Sequence, residues 1–215
     1  MSEFKNMDCM EGMKQYPDKY FDLAIVDPPY GINMDGGKIG GDNKGQAKNY
    51  KQKEWDKSPP KEEYFKELIR VSKNQIIWGS NHFISKIPFD SPCWIVWDKD
   101  NTGNFADCEL AYTSFQTAVR KFQFRWNGML QENMKSKEFR IHPTQKPVAL
   151  YEWLLNNYAK QGDKILDTHV GSASSLIACY NLGFEYVGFE LDKEYYDKAQ
   201  KRLQARMAQM DIFNL

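Results

Sequence analysis

The stretch from Lys164 to Asp192, KILDTHVGSASSLIACYNLGFEYVGFELD, narrows most sharply what this chain can fold into. An apolar run ends on an acid, small residues follow at Gly171, Ser172, Ala173 and Ser174, and an apolar helical stretch closes on Gly183. A second apolar run then ends on Glu190. Strand, tight turn, helix and strand in so short a span imply a parallel pair joined by a right-handed crossover. The same grammar recurs upstream, where FDLAIVDPPY, NQIIWGSN, PCWIVWDK and CELAYTSF read as strands. SPPKEEYFKELIRVSK reads as an amphipathic helix with Ser58 as N-cap, prolines in its first turn and apolar residues at 65, 68, 69 and 71. KPVALYEWLLNNYAKQGD reads as a helix closed by Gly162, and KEYYDKAQKRLQARMAQM as a last helix with a stripe at 196, 199, 203, 207 and 210. The alternation predicts an α/β fold, a mainly parallel sheet with helices on both faces.

Its 215 residues suit a single domain over 1–215, and 41% hydrophobic residues mark a globular chain. No apolar run approaches the ~20 residues needed to cross a bilayer. The opening MSEFKNMDCMEG has neither the basic end nor the apolar core of a signal peptide, so a cytoplasmic protein without a membrane partner is expected. Cys9, Cys93, Cys108 and Cys179 are scattered, which fits reduced thiols and assigns no metal site. With 29 basic and 29 acidic residues no overall field steers a polyanion, and any nucleic-acid contact must rest on local patches. Two stretches belong to no element. Residues 31–57 hold six glycines and six lysines. Residues 118–146 carry seven basic residues against two acidic, interleaved with Phe122, Phe124 and Trp126.

Glu190 follows Asp167 by 23 residues, an offset that places an acid at the second strand end to bind ribose hydroxyls. The turn between them is not G-x-G-x-x-G, so a nucleoside without a pyrophosphate fits better, and an ordinary strand-turn-helix remains open. The other chemical signal is DPPY, Asp27 to Tyr30. An exocyclic amino group on a base is a poor nucleophile because its lone pair is delocalised into the ring. A carboxylate (Asp27) and a backbone carbonyl (Pro28, stiffened by Pro29) can accept its two hydrogens and free that pair. Tyr30 offers a face on which a base can stack. Taken alone, DPPY also reads as a rigid turn.

Three motifs in order then resemble the permuted, beta-class amino-group DNA methyltransferases: DLAIVDPPYG, IHPTQKPVAL with ILDTHVGSASSLIAC, and YVGFELD. MDCMEGMKQYPDKYFDLAIVDPPY resembles the family's N-terminal segment. His169 stands where the family usually has phenylalanine, and Ala173 where it has its second glycine. The resemblance implies a mostly parallel seven-stranded Rossmann-like methyltransferase sheet with one antiparallel strand, and S-adenosyl-L-methionine as cofactor. It implies a cofactor pocket lined by Asp8, Thr144, Lys146, Asp167, Thr168, His169, Val170, Gly171, Ser172, Glu190, Leu191 and Asp192, with Asp27, Pro28, Pro29 and Tyr30 catalytic. Asp8 reads equally as a capping acid and Lys146 as a solvated lysine. The expected reaction is methylation of adenine N6 in double-stranded DNA, the base flipped out of the helix. Asp-Pro-Pro goes with adenine and Ser-Pro-Pro with cytosine, as a tendency. Cytosine N4, RNA adenine, a glutamine amide, and a degenerate member that binds DNA without turnover stay open. Lys38 and Lys44 in the glycine-rich loop, with Arg120, Lys121 and Arg125, are expected to meet DNA, the loop closing over the base. Residues 116–141 are a short recognition segment, compatible with a short site or with help from a second subunit; a homodimer and a restriction partner are both left open. Pro92-Cys93 is set aside as a covalent C5-cytosine nucleophile because Cys93 leads into its strand, and His82 and His142 are assigned no catalytic role.

Overall fold

The structure, a computed structural model, describes residues 1–39, 48–51, 53–101, 106–127 and 130–213, with backbone alone at 37–39, 48–50, 127 and 210–213. In chain order the elements are β1 (Glu3–Asn6), α1 (Cys9–Met13), β2 (Phe21–Val26), β3 (Gly37–Ile39), β4 (Lys48–Tyr50), α2 (Glu62–Val71) and β5 (Ser72–Trp78). There follow β6 (Trp94–Asp98), β7 (Cys108–Thr113), β8 (Arg120–Gln123), β9 (Trp126–Asn127), β10 (Leu130–Gln131), α3 (Val148–Tyr158), β11 (Lys164–Asp167), α4 (Ser174–Leu182), β12 (Glu185–Glu190) and α5 (Lys193–Phe213).

The main sheet has the order β1-β12-β11-β2-β5-β7-β6-β8, and β3-β4 and β9-β10 form two small antiparallel pairs. Within the main sheet β7 alone runs against its neighbours β5 and β6. The single antiparallel strand is as expected, but the strand count is eight rather than seven. The extra strand, β8, pairs parallel to β6 and comes from the stretch taken as a recognition segment. Its sequence RKFQ hides it, because only Phe122 turns inward and the rest reads as a basic patch.

Alternation along the strands builds a core on each face. Leu23, Ile25, Ile76, Trp78, Ile95 and Trp97 join side chains of α3, α4 and α5. Ala24, Val26, Ile77, Leu166, Val187 and Phe189 join Met13 of α1 and Phe65 and Leu68 of α2. The expected start of α2 needs correction. Ser58 and Pro59 each precede a proline, which drives both out of the helical region, so the helix begins at Glu62 behind an extended Lys61 with no side-chain cap. Helix α3 likewise ends at Tyr158, and Gly162 serves the turn into β11 instead of closing the helix. In α5 the buried stripe is Tyr195, Ala199 and Leu203, with Tyr196 and Met207 half-buried.

The parallel strands deliver Asn6, Asp27, Gly79, Asp98, Asp167 and Glu190 to one edge, the place where open α/β sheets gather ligands. Because β7 is reversed, its start, Cys108 and Glu109, reaches that same edge. Helix α1 sits close on the sheet through Gly12, where an added Cβ would lie 2.6 Å from the fully buried Phe189 ring. Gly12→Ala should therefore cost about 1–3 kcal/mol and lower the melting temperature by ~2–4 °C per kcal/mol. Thermal denaturation of the variant checks this, and an unchanged midpoint would show that α1 can lift off without loss.

Candidate active site

Asp27 leaves the end of β2 half-buried, and both of its oxygens are engaged. The Tyr30 hydroxyl donates to Oδ1 at 2.6 Å, and the Lys146 ammonium donates to Oδ2 at 2.6 Å. Lys146 also reaches Glu109 Oε2 at 3.0 Å and the Tyr30 hydroxyl at 3.1 Å. Glu109 pairs in turn with Lys99. Burial holds the Asp27 carboxyl above its usual value, although Lys146 pulls it down part of the way. Burial also pushes Glu109 up, but Lys146 and Lys99 together outweigh it and bring it down to about 2. For Lys146 burial works against the charge, and the two carboxylates restore it. Lys146 is 4% exposed, so it is no solvated lysine.

The Tyr30 ring lies flat against His82, with centroids 5.1 Å apart, and over Gly79, where a Cβ would come within 2.0 Å of it. Behind the tetrapeptide sits Asp56, 2% exposed. Its carboxylate accepts the backbone N–H groups of Tyr30, Gly31 and Met34, each at 2.8 Å. The prolines at 28 and 29 cannot donate, so the first N–H groups after them are the ones this acid can grip.

Across the edge lies the turn after β11. Asp167 accepts the His169 N–H at 2.9 Å and the Ser175 hydroxyl, and burial pushes its carboxyl up to about 7. Thr168 meets the Tyr64 hydroxyl at 2.6 Å and His169 Nδ1 at 2.9 Å. Burial pushes His169 down to about 4, so the ring is neutral. Val170 is buried and donates to Phe189 O at 3.0 Å. Gly171 N donates to Glu190 Oε2 at 2.8 Å, while Glu190 Oε1 accepts Asp192 N at 2.8 Å. Arg202 reaches Ser172 O at 2.7 Å and holds Glu138 on its other arm at 2.5 Å. Leu191 is 67% exposed beside the acid. Asp192 caps α5 and takes Lys53 at 2.8 Å.

The structure thus brings Asp167, Thr168, His169, Val170, Gly171 and Ser172, at the end of β11, beside Glu190, Leu191 and Asp192, at the end of β12. Asp8 caps α1 by accepting Met10 N and Glu11 N, with the next residue, Cys9, 3.9 Å from His169. Thr144 joins His142 Nδ1 at 3.2 Å, and Lys146 goes to Asp27. A cleft of about 550 Å³ opens where Pro29 and His169 meet Cys9, Met10 and Tyr64, its other wall being the segment 58–63 that leads into α2. A cofactor the size of a nucleoside suits this edge: Glu190, held by the backbone N–H groups of Gly171 and Asp192, is an acid at a strand end able to accept ribose hydroxyls, and Leu191 offers an apolar face.

Sequence reasoning missed Asp56, Glu109, Lys99 and His142. Glu109 carried one signal, a lone acid entering an otherwise apolar strand. His142 had been set aside, yet its ring packs over Gly171 and lies 4.3 Å from Tyr195 and 5.1 Å from Trp55. Among the expected DNA contacts, Lys38 lies in β3, described by its backbone, and Lys44 falls outside the described residues. Arg125 stands beyond the end of β8 at the site's edge, paired with Asp100. Arg120 opens β8 opposite Ile95, at the far edge, where its charge acts on Tyr158 at the end of α3. Successive strand residues face opposite ways, so Lys121 turns to the other face and meets Asp98 at 3.3 Å. Arg120 and Lys121 do not form one patch.

A family model described as DNA methylase matches residues 88–201, just over half of the chain. The chain is similar to the type II methyltransferase M2.DpnII of Streptococcus pneumoniae, 27% identical over 92% of this chain and 88% of that one. Among solved structures it resembles an M1.HpyAVI-SAM complex, with TM-score 0.60 and 22% identity over 94% of this chain and all of the other. It also resembles the cytosine-N4-specific PvuII DNA methyltransferase, with TM-score 0.62 and 12% identity over 95% of this chain and 90% of that one.

Asp56→Ala strips three backbone donors of their acceptor, and should cost about 1–3 kcal/mol. Hydrogen exchange at the amides of Tyr30, Gly31 and Met34 should accelerate while the rest of the sheet stays protected. Unchanged exchange at those three amides would show that Asp56 does not hold the loop.

Proposed function

The chain belongs to the DNA methylase family, and from that premise we propose that the group it methylates is the exocyclic N6 of an adenine turned out of duplex DNA. S-adenosylmethionine is the cofactor. When bound it would supply a methyl on a positively charged sulfur, whose carbon the nitrogen lone pair attacks as the C–S bond breaks, the sulfur leaving as a neutral thioether and the nitrogen losing one amino proton through Asp27. The observation that carries the reading is Asp27, a carboxyl acceptor gripped by Lys146 at a strand end, with the Pro28 carbonyl following it. Accepting the two amino hydrogens on Asp27 Oδ1 and Pro28 O draws the nitrogen toward tetrahedral geometry and exposes its lone pair. Lys146 keeps Oδ2, so the Tyr30 hydroxyl is the donor that yields its place on Oδ1 to the base. For the Tyr30 ring to stack on that base, a contact worth ~1–3 kcal/mol, it must also exchange its packing on His82 for the base. Glu190 holds the ribose of the cofactor, the Gly171 turn lets its backbone approach, and the cleft at Pro29 and His169 brings the two reactants together. The acid at position 27, where cytosine enzymes tend to have serine, supports adenine over cytosine N4.

No helix among the described residues is long and apolar enough to cross a membrane, and the reading places the enzyme in the cytoplasm with its DNA. Incubation with S-adenosylmethionine carrying a tritiated methyl, offered with duplex DNA, RNA or protein, followed by nucleoside analysis, tests the proposal. N6-methyladenine from duplex DNA is the expected product. N4-methylcytosine, labelled RNA or labelled protein would each replace it, and no transfer at all would mark a binding protein. Asp27→Ala should cut turnover by ~10²–10⁴-fold with cofactor binding kept, and Asp27→Asn, which retains an acceptor oxygen, should lose less. Full activity in the alanine variant would overturn the mechanism.

The position of the basic residues makes a second forecast for DNA binding. Arg125 at the site's edge should add ~0.9 to the slope of log affinity against log salt if it meets a phosphate. Arg125→Gln is then expected to flatten the slope by that amount, and Arg120→Gln at the far edge to leave it unchanged. Affinities measured over a range of salt decide this, and the opposite ranking would put DNA on the other edge of the sheet.

A further inference from the structure

Resting on the reading of Asp27 as acceptor of the target amino group, we propose that Lys146 and Glu109 form a charge clamp that positions Asp27 as a carboxylate, so that Lys146 serves the base side of the site and not the cofactor. The geometry is a chain of alternating charges. Lys146 Nζ lies 2.6 Å from Asp27 Oδ2 and 3.0 Å from Glu109 Oε2, with its side chain 3% exposed. Glu109 is steadied from behind by Lys99. One oxygen of Asp27 is thereby held by a buried cation whose loss would take away the ion-pair partner of Asp27 and leave Glu109 with Lys99. The other carries only the neutral Tyr30 hydroxyl, which a base can displace.

The clamp matters because a protonated Asp27 would carry a hydrogen of its own and could no longer take up the amino group as an ionised acceptor. Burial favours that protonated form, and Lys146 opposes it. The other titratable neighbours are known. Tyr30 from the loop, Tyr64 of α2 and Tyr151 of α3 are all pushed well above their usual range by burial and stay neutral. His142, pushed down to about 3, is uncharged. Asp167 of β11, pushed up to about 7, does titrate nearby, and it is the same in every variant below. Lys146 precedes α3, Glu109 opens β7 and Lys99 follows β6, so the clamp gathers three separate elements around the end of β2.

The experiment is the pH dependence of kcat/KM on duplex DNA for wild type, Lys146→Met, Lys146→Arg and Glu109→Gln. Binding of S-adenosylmethionine to each is measured by calorimetry, and the Asp27 carboxyl carbon is titrated by NMR. Removing the cation should move the acid limb, and the Asp27 carbon with it, up by ~1–3 pH units. Lys146→Arg keeps the charge and should leave the limb in place. Glu109→Gln removes an anion and should move it down. Cofactor affinity should stay as in wild type throughout. The opposite signs of the Met and Gln shifts are what a purely structural role would not produce. Loss of cofactor affinity in Lys146→Met with an unmoved Asp27 carbon would make Lys146 a cofactor ligand and end the proposal. If Lys146→Met fails to fold, an Asp27 carbon that shifts down in Glu109→Gln supports the clamp, and one that stays put overturns it. A wild type that methylates no DNA would count against the proposed function, while the NMR titration still decides the clamp.

Discussion

An ammonium group buried between two carboxylates is the constraint around which this edge of the sheet is arranged. Taking such charges out of water costs several kcal/mol for each ion, and the attraction between them repays it only with near-ideal contacts. Asp27, Lys146 and Glu109 meet that condition, with contacts of 2.6 and 3.0 Å. They do so because β7 runs against every other strand of the main sheet. A parallel β7 would carry Glu109 to the far edge, leaving Lys146 with half of its compensation. Sheet topology and site electrostatics are therefore one problem, and the reversed strand solves both parts.

The order of the chain explains why the site must be assembled from distant pieces. The strand pair proposed to face the cofactor, β11 and β12, comes last, and β1 adds to the outside of β12 with Glu3 opposite Val187. Asp27 and Lys146 are 119 residues apart. The segment after the glycine-rich loop stitches the halves together: Asp56 grips the backbone after the prolines, Trp55 leans on His142, and Lys53 pairs with Asp192 and Glu194. Three of the four residues 53–56 thus tie the loop after Asp27 to the strand end after β12, so neither strand end can shift without pulling on the other.

Most of the fold was legible because it is written in local patterns. Apolar runs, glycines at 171 and 183 and the stripe of α5 each reflect one element's own burial, and the strands and helices they imply are present. The readings that failed depended on neighbours. RKFQ became a strand because β6 had a free edge to pair with, a fact outside those four residues. Ser58 lost its capping role to the two prolines beside it. The candidate site divides the same way: the acids at 27, 167 and 190 announce themselves as strand ends, whereas Glu109, Asp56 and His142 acquire meaning only from what folds against them. Lys146 sits within a recognisable motif, yet its partner could not be read from that motif.

The two departures from the family pattern, His169 and Ala173, show how the turn after β11 is held with these residues. Burial leaves the His169 ring neutral, and it packs edge-on against Tyr64 at 5.4 Å, as a phenylalanine could, while adding a contact to Thr168. Ala173 holds φ +63°, the left-handed region where a side chain costs about 1–2 kcal/mol relative to glycine. Its carbonyl nevertheless accepts the Ile177 N–H at 2.9 Å to start α4, and its N–H reaches Val170 O at 3.1 Å. The methyl is fully buried in the core, which returns about 0.8 kcal/mol. Glycine there would relieve the backbone, lose that packing and loosen the unfolded chain, so the opposing effects nearly cancel. With Gly171 tied to Glu190 and Ser172 tied to Arg202, the turn is held on both sides of the strained residue, and its geometry does not depend on having glycine at 173.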